Sequence, residues 1–443
     1  MTGTTWTGLV RDGRRRVRAR LRRIAGPRDR TELRPDPREP AVMLVRAGLS
    51  AGDLDRAHRL AERAWRSRPR HIQLQDLLIA SLDLREEADR ALALSVENAA
   101  RRLRWLARRR VTGPRPRRLG PAERIFIAGF FKSGSSAVLD YLRGVPGSRR
   151  WTPTGEMRLL KAPGGVAELV GRRQASGALS DLDLVDFYLH LTGWKLTRHP
   201  PGTFHPRDVV NRHGEVLFRS PRAFGYLQVC LEAFLELVEL TRSAQPTVGE
   251  LEDFFRGAVG RALDAAAADT GASVLLIDQA VNAWRLPLSR LVPPSTFVIV
   301  HRDPRDQFVD AQRVHQKPGL PALVADSFAG DYRQRRAWAN RDAAVITRKY
   351  GHRSVRLSFE DFVLDHHRQA RNLLAALGLP PPRRWADHYR PSLARDAIGR
   401  HRRLVSPADL VALTVALPEF LDHRVGSPAG SGTGSPAWRS RNV

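Results

Sequence analysis

Two short segments hold residue types that could do chemistry together. The first is Gly129-Phe130-Phe131-Lys132-Ser133-Gly134-Ser135-Ser136, which follows an apolar run and opens a helix-like stretch. A glycine-containing turn from strand to helix exposes backbone N–H groups at a helix N-terminus, a ready anion site that the helix dipole strengthens. Lys132 adds a point charge, and Ser135 and Ser136 add hydroxyl donors. A nucleotide phosphate is the natural ligand of such a turn. The second segment is His301-Arg302-Asp303-Pro304-Arg305-Asp306-Gln307-Phe308-Val309-Asp310, which also follows an apolar run. An arginine at the C-terminal end of a buried parallel strand sits where open sheets bind ligands. Pro304 allows a turn into a helix, and Asp303 or Asp306 could cap it.

The first segment is not an ATP-binding loop of the Walker A kind. That motif needs lysine directly after its last glycine. Here Lys132 precedes Gly134 and Ser135 follows it, which argues against ATP or GTP hydrolysis.

Four apolar runs must supply the strands that position these segments: Ile125-Phe126-Ile127-Ala128-Gly129, Val274-Leu275-Leu276-Ile277, Phe297-Val298-Ile299-Val300 and Val355-Arg356-Leu357-Ser358. Helical stretches are predicted between them at 136–143, 222–241, 249–268 and 366–377. Strands alternating with helices give an α/β fold, a parallel sheet with helices on both faces.

These segments, in order, resemble the sulfotransferases that use 3′-phosphoadenosine 5′-phosphosulfate (PAPS). Lys132-Ser133-Gly134-Ser135-Ser136 is similar to the family's loop for the 5′-phosphosulfate, and Arg302-Asp303-Pro304-Arg305-Asp306 to its 3′-phosphate strand end. Leu357-Ser358-Phe359-Glu360-Asp361-Phe362, Leu377-Gly378-Leu379 and Ile398-Gly399-Arg400-His401-Arg402-Arg403 are similar to later family segments. The resemblance covers about 122–424 and implies a P-loop-like sulfotransferase fold. It implies PAPS as donor, no metal, and cofactor contacts from Lys132, Ser133, Gly134, Ser135, Ser136, Arg302, Asp310 and Arg400.

Two places depart from the family pattern. Position 310 holds aspartate where the family usually has serine, and an aspartate there would repel a phosphate unless an arginine intervenes. His401 stands near a position that is often aromatic. For the base that an acceptor hydroxyl needs, the resemblance offers Glu156, 24 residues after Lys132, with His190 and His199 as alternatives. Lys132 is then expected at the bridging oxygen of the leaving group, and Arg158 and Lys161 could hold an anionic acceptor. Asp278-Gln279-Ala280-Val281-Asn282 follows a strand end and could line the acceptor cleft or cap the next helix. A hydroxyl or amino group on a glycan, a lipid-linked molecule or a small metabolite is the expected acceptor. Other readings are a phosphotransferase of related fold and a non-catalytic adaptor working through its N-terminus.

Composition bounds the rest. The 443 residues include 74 Lys+Arg against 46 Asp+Glu, a net charge of +28. Such a charge favours anionic partners such as acidic lipid or phosphorylated ligands; nucleic acid is not the expected partner. Only five of the 74 are lysines, an arginine bias that fits a GC-rich coding genome. Residues 1–120 carry 30 basic and 14 acidic residues, so the N-terminal quarter differs from the rest. Within 1–40, Trp6, Leu9, Val10, Val17, Leu21 and Ile24 recur at near-helical spacing among arginines. That is the pattern of a basic amphipathic helix on an anionic membrane, or of a solvated arm. Residues 41–110 read as all-helical, with Gly52, Ala57, Ala64 and Pro69 spaced as in a tetratricopeptide-like hairpin that could take a protein partner. Residues 111–121 read as a linker, 122–424 as the sulfotransferase domain and 425–443 as a disordered tail. The lone Cys230 excludes a disulfide framework, and neither a transmembrane run nor a signal peptide is evident. The expected compartment is the cytoplasm, with peripheral contact at the inner face of the membrane.

Overall fold

The structure is a computed structural model and describes residues 40–50, 53–69, 71–110, 122–151, 156–194, 217–218, 220–315, 322–383 and 385–422. Residues 1–39 of the basic arm, the linker 111–121, His199 and the tail 425–443 lie outside the described residues.

Four helices come first: α1 (Pro40–Ser50), α2 (Leu54–Ser67), α3 (Ile72–Leu84) and α4 (Ala88–Arg110). Asp53 caps α2 by accepting from the Arg56 N–H at 3.1 Å, satisfying one of the helix's free donors. The close approach of α1 to α2 falls at Gly48, where a Cβ would stand 3.1 Å from that of Ala57. Ala57 and Ala61 are buried in this contact, so the small residues let the two helices pack closely.

The sheet has five parallel strands in the order β2–β3–β1–β4–β5. They are β1 (Glu123–Gly129), β2 (Ser148–Arg150), β3 (Val274–Asp278), β4 (Thr296–His301) and β5 (Arg353–Ser358). The chain winds to one side of β1 with β2 and β3, then to the other with β4 and β5. This places a topological switch at β1, where ligands bind such sheets. Side chains alternate between faces: Phe126 and Ala128 join one core, Ile125 and Ile127 the other. Phe126 stacks on Phe297 at 5.0 Å between ring centroids. Truncating this buried ring to alanine would cost about 3–5 kcal/mol.

One face is covered by α5 (Ser135–Leu142), α12 (Phe359–Leu364) and α13 (His366–Leu377). The other is covered by α6 (Val166–Ser176), α7 (Asp181–Thr192), α8 (Phe224–Ser243) and α9 (Val248–Thr270). The four N-terminal helices share that second core. Their junction with the sheet domain is polar as well as apolar. Buried Asp76 accepts from Tyr188 Oη at 2.8 Å and from Asn98 Nδ2 at 2.8 Å, and it is ion-paired with Arg102. Burial pushes the Asp76 carboxyl up to about 6 against the pull of Arg102. Removing one partner of a buried pair of this kind typically costs 3–5 kcal/mol, because the other charge stays buried. The remaining helices are α10 (Pro304–His315), α11 (Ala325–Tyr350), α14 (Pro391–Arg395), α15 (His401–Leu404) and α16 (Pro407–Ala416). A small third core of Phe308, Tyr332, Leu413 and Leu417 ties α10, α11 and α16 together.

No described helix is long and apolar enough to cross a membrane.

Candidate active site

The C-terminal ends of β1, β3, β4 and β5 open on one cleft of about 560 Å³. After β1 the chain makes a tight turn into α5. Lys132 has φ 59° and Gly134 φ 83°. A left-handed conformation costs a non-glycine residue about 1–2 kcal/mol, so the turn holds Lys132 against its own preference. Gly134 could be no other residue, because an added Cβ would stand 2.2 Å from the Phe359 ring. As N-cap of α5 it offers no side-chain cap, which leaves the first N–H groups of the helix to an external acceptor.

The hydroxyls of the turn differ in their bonding. Ser135 accepts from Gln279 Nε2 at 2.7 Å. Ser133 is 1% exposed, and its Oγ has no hydrogen-bond partner. Ser136 and Lys132 are exposed at the cleft wall.

Arg302, one residue past β4, joins the two sequence segments directly. It is 3% exposed, and its Nη1 donates to the Lys132 carbonyl at 3.0 Å and to Asp310 Oδ2 at 2.8 Å. Nη2 reaches the Ala397 carbonyl, and Nε is buried with no partner. The guanidinium lies 5.2 Å from the centroid of the Phe359 ring. The rest of this segment is scaffold. Asp303 caps α10 through the Arg305 N–H at 2.9 Å, and its own N–H donates to Glu360 Oε1 at 2.9 Å. Asp306 accepts from the backbone N–H of Gly399 and of His401, and contacts His401 Nδ1 at 2.9 Å. Burial pushes Asp306 up, but these hydrogen bonds and the charge of Arg302 hold its carboxyl below the usual range.

Asp310 lines the cleft, and arginines surround it. Besides Arg302, Arg400 Nη1 lies 3.6 Å and Arg313 Nη1 3.9 Å from Asp310 Oδ1. The repulsion expected of an aspartate here is thus answered by three guanidinium groups.

Two carboxylates, Glu156 and Asp278, also line the cleft. Glu156 forms an isolated parallel bridge with Asp278, and the Met157 N–H donates to the Asp278 carbonyl at 3.1 Å. Arg158 holds Glu156 Oε2 at 3.3 Å. Asp278 is 5% exposed, and its Oδ1 has no partner. Burial first, then the charge of Glu156, pushes its carboxyl up to about 7 against the pull of Lys161 and Arg150. Lys161 donates to Asn282 Oδ1 at 3.0 Å, and burial pulls its ammonium below the usual lysine range.

Lys132, Ser133, Gly134, Ser135, Ser136, Glu156, Arg302 and Asp310 therefore share one cleft. Arg400 reaches it through Asp310. His190 does not line it: it is buried on α7 with Nδ1 3.0 Å from the Pro163 carbonyl. The cleft also contains Trp284, Arg335 and Phe359, to which the sequence assigned no site role. Asp278, Gln279 and Asn282, from a segment expected to line the acceptor cleft or cap a helix, do line this cleft. The raised carboxyl of Asp278 has no signal in the sequence beyond a carboxylate at the end of an apolar run. Among the described residues, no group of three or more His, Cys, Asp or Glu could hold a metal ion.

The sequence profile described as the sulfotransferase family matches residues 124–383, more than half of the chain. Among solved structures, the chain is similar to the sulfotransferase domain of the Synechococcus PCC 7002 olefin synthase, at 16% identity and a TM-score of 0.34. That likeness covers 70% of this chain and 98% of the domain. No curated protein sequence matches the chain.

Proposed function

This chain belongs to the sulfotransferase family, and we propose that it moves a sulfuryl group from PAPS to a hydroxyl or amino acceptor. The observation that carries the reading is the meeting of Lys132 and Arg302 in one cleft, with Arg302 bonded to the Lys132 carbonyl. The donor set fits a nucleotide with more than one anionic group. Ser133 Oγ and Arg302 Nε are buried without partners, and an unsatisfied buried donor costs about 1–3 kcal/mol. An oxyanion would relieve that cost.

PAPS, when bound, supplies a sulfuryl group on a phosphate leaving group. The uncapped N–H groups of α5, with Ser133, Ser135 and Ser136, are suited to hold the 5′-phosphate. Lys132 puts a mobile positive charge where negative charge develops on the leaving oxygen, an effect strongest in the transition state. Arg302, fixed by three other bonds, is suited to bind the 3′-phosphate, and Arg400 adds charge behind it. The acceptor's proton goes to the Glu156–Asp278 pair. Glu156 is the more exposed member, and Asp278 has a free carboxylate oxygen and a value poised near neutrality.

Incubation with sulfur-labelled PAPS and panels of glycans, lipid-linked molecules and small hydroxylated metabolites tests this reading. Label should pass to one class in wild type and fail to pass in Lys132→Ala. Transfer of labelled phosphate from ATP, with none from PAPS, would contradict it.

A further inference from the structure

A second basic hollow lies at the free edge of the sheet, away from the cleft. β2 is the edge strand, separated from β1 by β3. Ser148, Arg149 and Arg150 on β2, Arg143 at the end of α5, Arg222 just before α8 and His388 after α13 line about 240 Å³. No carboxylate is among the lining residues. The acids that act on its arginines lie outside the lining: Asp140, which accepts from Arg143 Nη1 at 3.1 Å, and Asp278.

Two buried atoms here have no hydrogen-bond partner, Ser148 Oγ and Arg150 Nε. Ser148 is 2% exposed. Charged residues on an edge strand often serve only to keep another strand from pairing with it. That role accounts for exposed Arg149, which donates to the Ser148 carbonyl at 2.7 Å. It does not account for a buried hydroxyl and a half-buried guanidinium with nothing to bond. A bridging water could accept from both donors, but it carries no charge to offset the gathered arginines. Burial, and then the charge of Arg143, pulls the Arg150 guanidinium below its usual range, against the pull of Asp140 and Asp278. The attraction of a bound anion would oppose both effects.

We propose that this hollow is a second anion site, which takes a tetrahedral oxyanion: a sulfate or phosphate group, free or carried on a larger molecule. The donors come from an edge strand, a helix end, a turn and the segment after α13. A tetrahedral group offers acceptors in more directions than a planar carboxylate does. The site stands apart from the nucleotide cleft and does not depend on the donor assigned to that cleft.

Thermal melting of the full chain tests this, with inorganic sulfate titrated at constant ionic strength against chloride. A ligand that binds only the folded chain stabilises it by RT ln(1 + L/Kd) at free ligand concentration L, so Tm climbs with ligand concentration. The rise should persist in Lys132→Ala, which removes the charge of the cleft loop. In Arg150→Met it should shrink, with the apparent Kd weakened roughly tenfold or more, as for loss of one charge-assisted hydrogen bond. Without anion, Arg150→Met should melt no lower than wild type, because a crowded charge has gone. Arg143→Gln, at a helix end, gives an independent second reading should Arg150→Met fold poorly. Comparing inorganic sulfate with a sulfated monosaccharide separates the two sources of the group, since a carried group should bind the tighter. A sulfate response unchanged in both arginine variants, or abolished by Lys132→Ala alone, would overturn the proposal.

Discussion

Glu156 bridges to Asp278, the last residue of β3, and after burial itself its charge is the largest force pushing the Asp278 carboxyl up to about 7. Two carboxylates that repel resist ionising together, so the buried member keeps its proton towards neutrality. Lys161, held by Asn282, and Arg150 supply the opposing positive charge.

Sulfuryl transfer should therefore rise with pH through about 7, because the base must be ionised before it can accept a proton. Asp278→Asn should remove this limb and lower turnover by roughly 10²–10⁴-fold, the range for loss of a general base. Glu156→Gln should move the midpoint down, since it removes a charge that raises Asp278. A pH–rate profile on each variant checks this. An unshifted limb in Asp278→Asn would assign the proton elsewhere.

The same residue makes stability depend on pH. Between the ordinary carboxylate range and about 7, the folded chain keeps the Asp278 proton while the unfolded chain has lost it. The folded state then binds more protons, so this group's contribution falls as pH rises through that window. The difference in Tm between Asp278→Asn and wild type should thus grow in the variant's favour from about pH 4 to about pH 8. A constant difference across that range would count against a buried, raised carboxyl.

Gly134→Ala should disable the loop. Both the positive φ and the clash with Phe359 oppose a Cβ there, and strain plus overpacking should cost about 2–4 kcal/mol together. Denaturant melts and nucleotide titration should show loss of stability and of binding in the same variant. Wild-type nucleotide affinity in Gly134→Ala would mean that the turn does not hold the ligand.

Asp310→Ser should tighten binding of a 3′-phosphorylated nucleotide. It removes a carboxylate that now shares Arg302, Arg313 and Arg400, freeing them for phosphate. A gain of about 1.4 kcal/mol would be tenfold in Kd. Weaker binding on calorimetry would instead make Asp310 the residue that holds Arg302 in place.

Much of this was legible where the signal is local. The strands β1, β3 and β4 follow apolar runs that both faces of the sheet bury, while edge strand β5 was read from Val355 and Leu357 alternating with polar residues. β2 was not legible, because Ser148-Arg149-Arg150 has no apolar run and pairs on one side only. Helix α9 was placed within two residues at each end; Thr247 with Glu250 forms its capping box and Gly271 its left-handed cap. The long α11 and the 3-10 stretch Ala283–Leu291 that carries Trp284 were not read from the sequence. The loop from Lys132 to Ser136 was readable because anion-binding turns are contiguous. The state of Asp278 was not, since it depends on burial and on a glutamate distant in sequence. Asp310 looked out of place for the same reason: two of the arginines that balance it, Arg302 and Arg313, lie within eight residues of it, but Arg400 comes from a turn far along the chain.

A PAPS donor requires a cleft that prefers an adenosine nucleotide with a 3′-phosphate, which calorimetry of 3′-phosphoadenosine 5′-phosphate against ATP, in chelator, measures. The 3′-phosphorylated nucleotide should bind at least roughly tenfold tighter. Arg302→Ala should close most of that gap. Lys132→Ala should leave product-nucleotide binding largely intact while turnover falls by roughly 10²–10³-fold. ATP binding equal to or tighter than that of the 3′-phosphorylated nucleotide would contradict that donor.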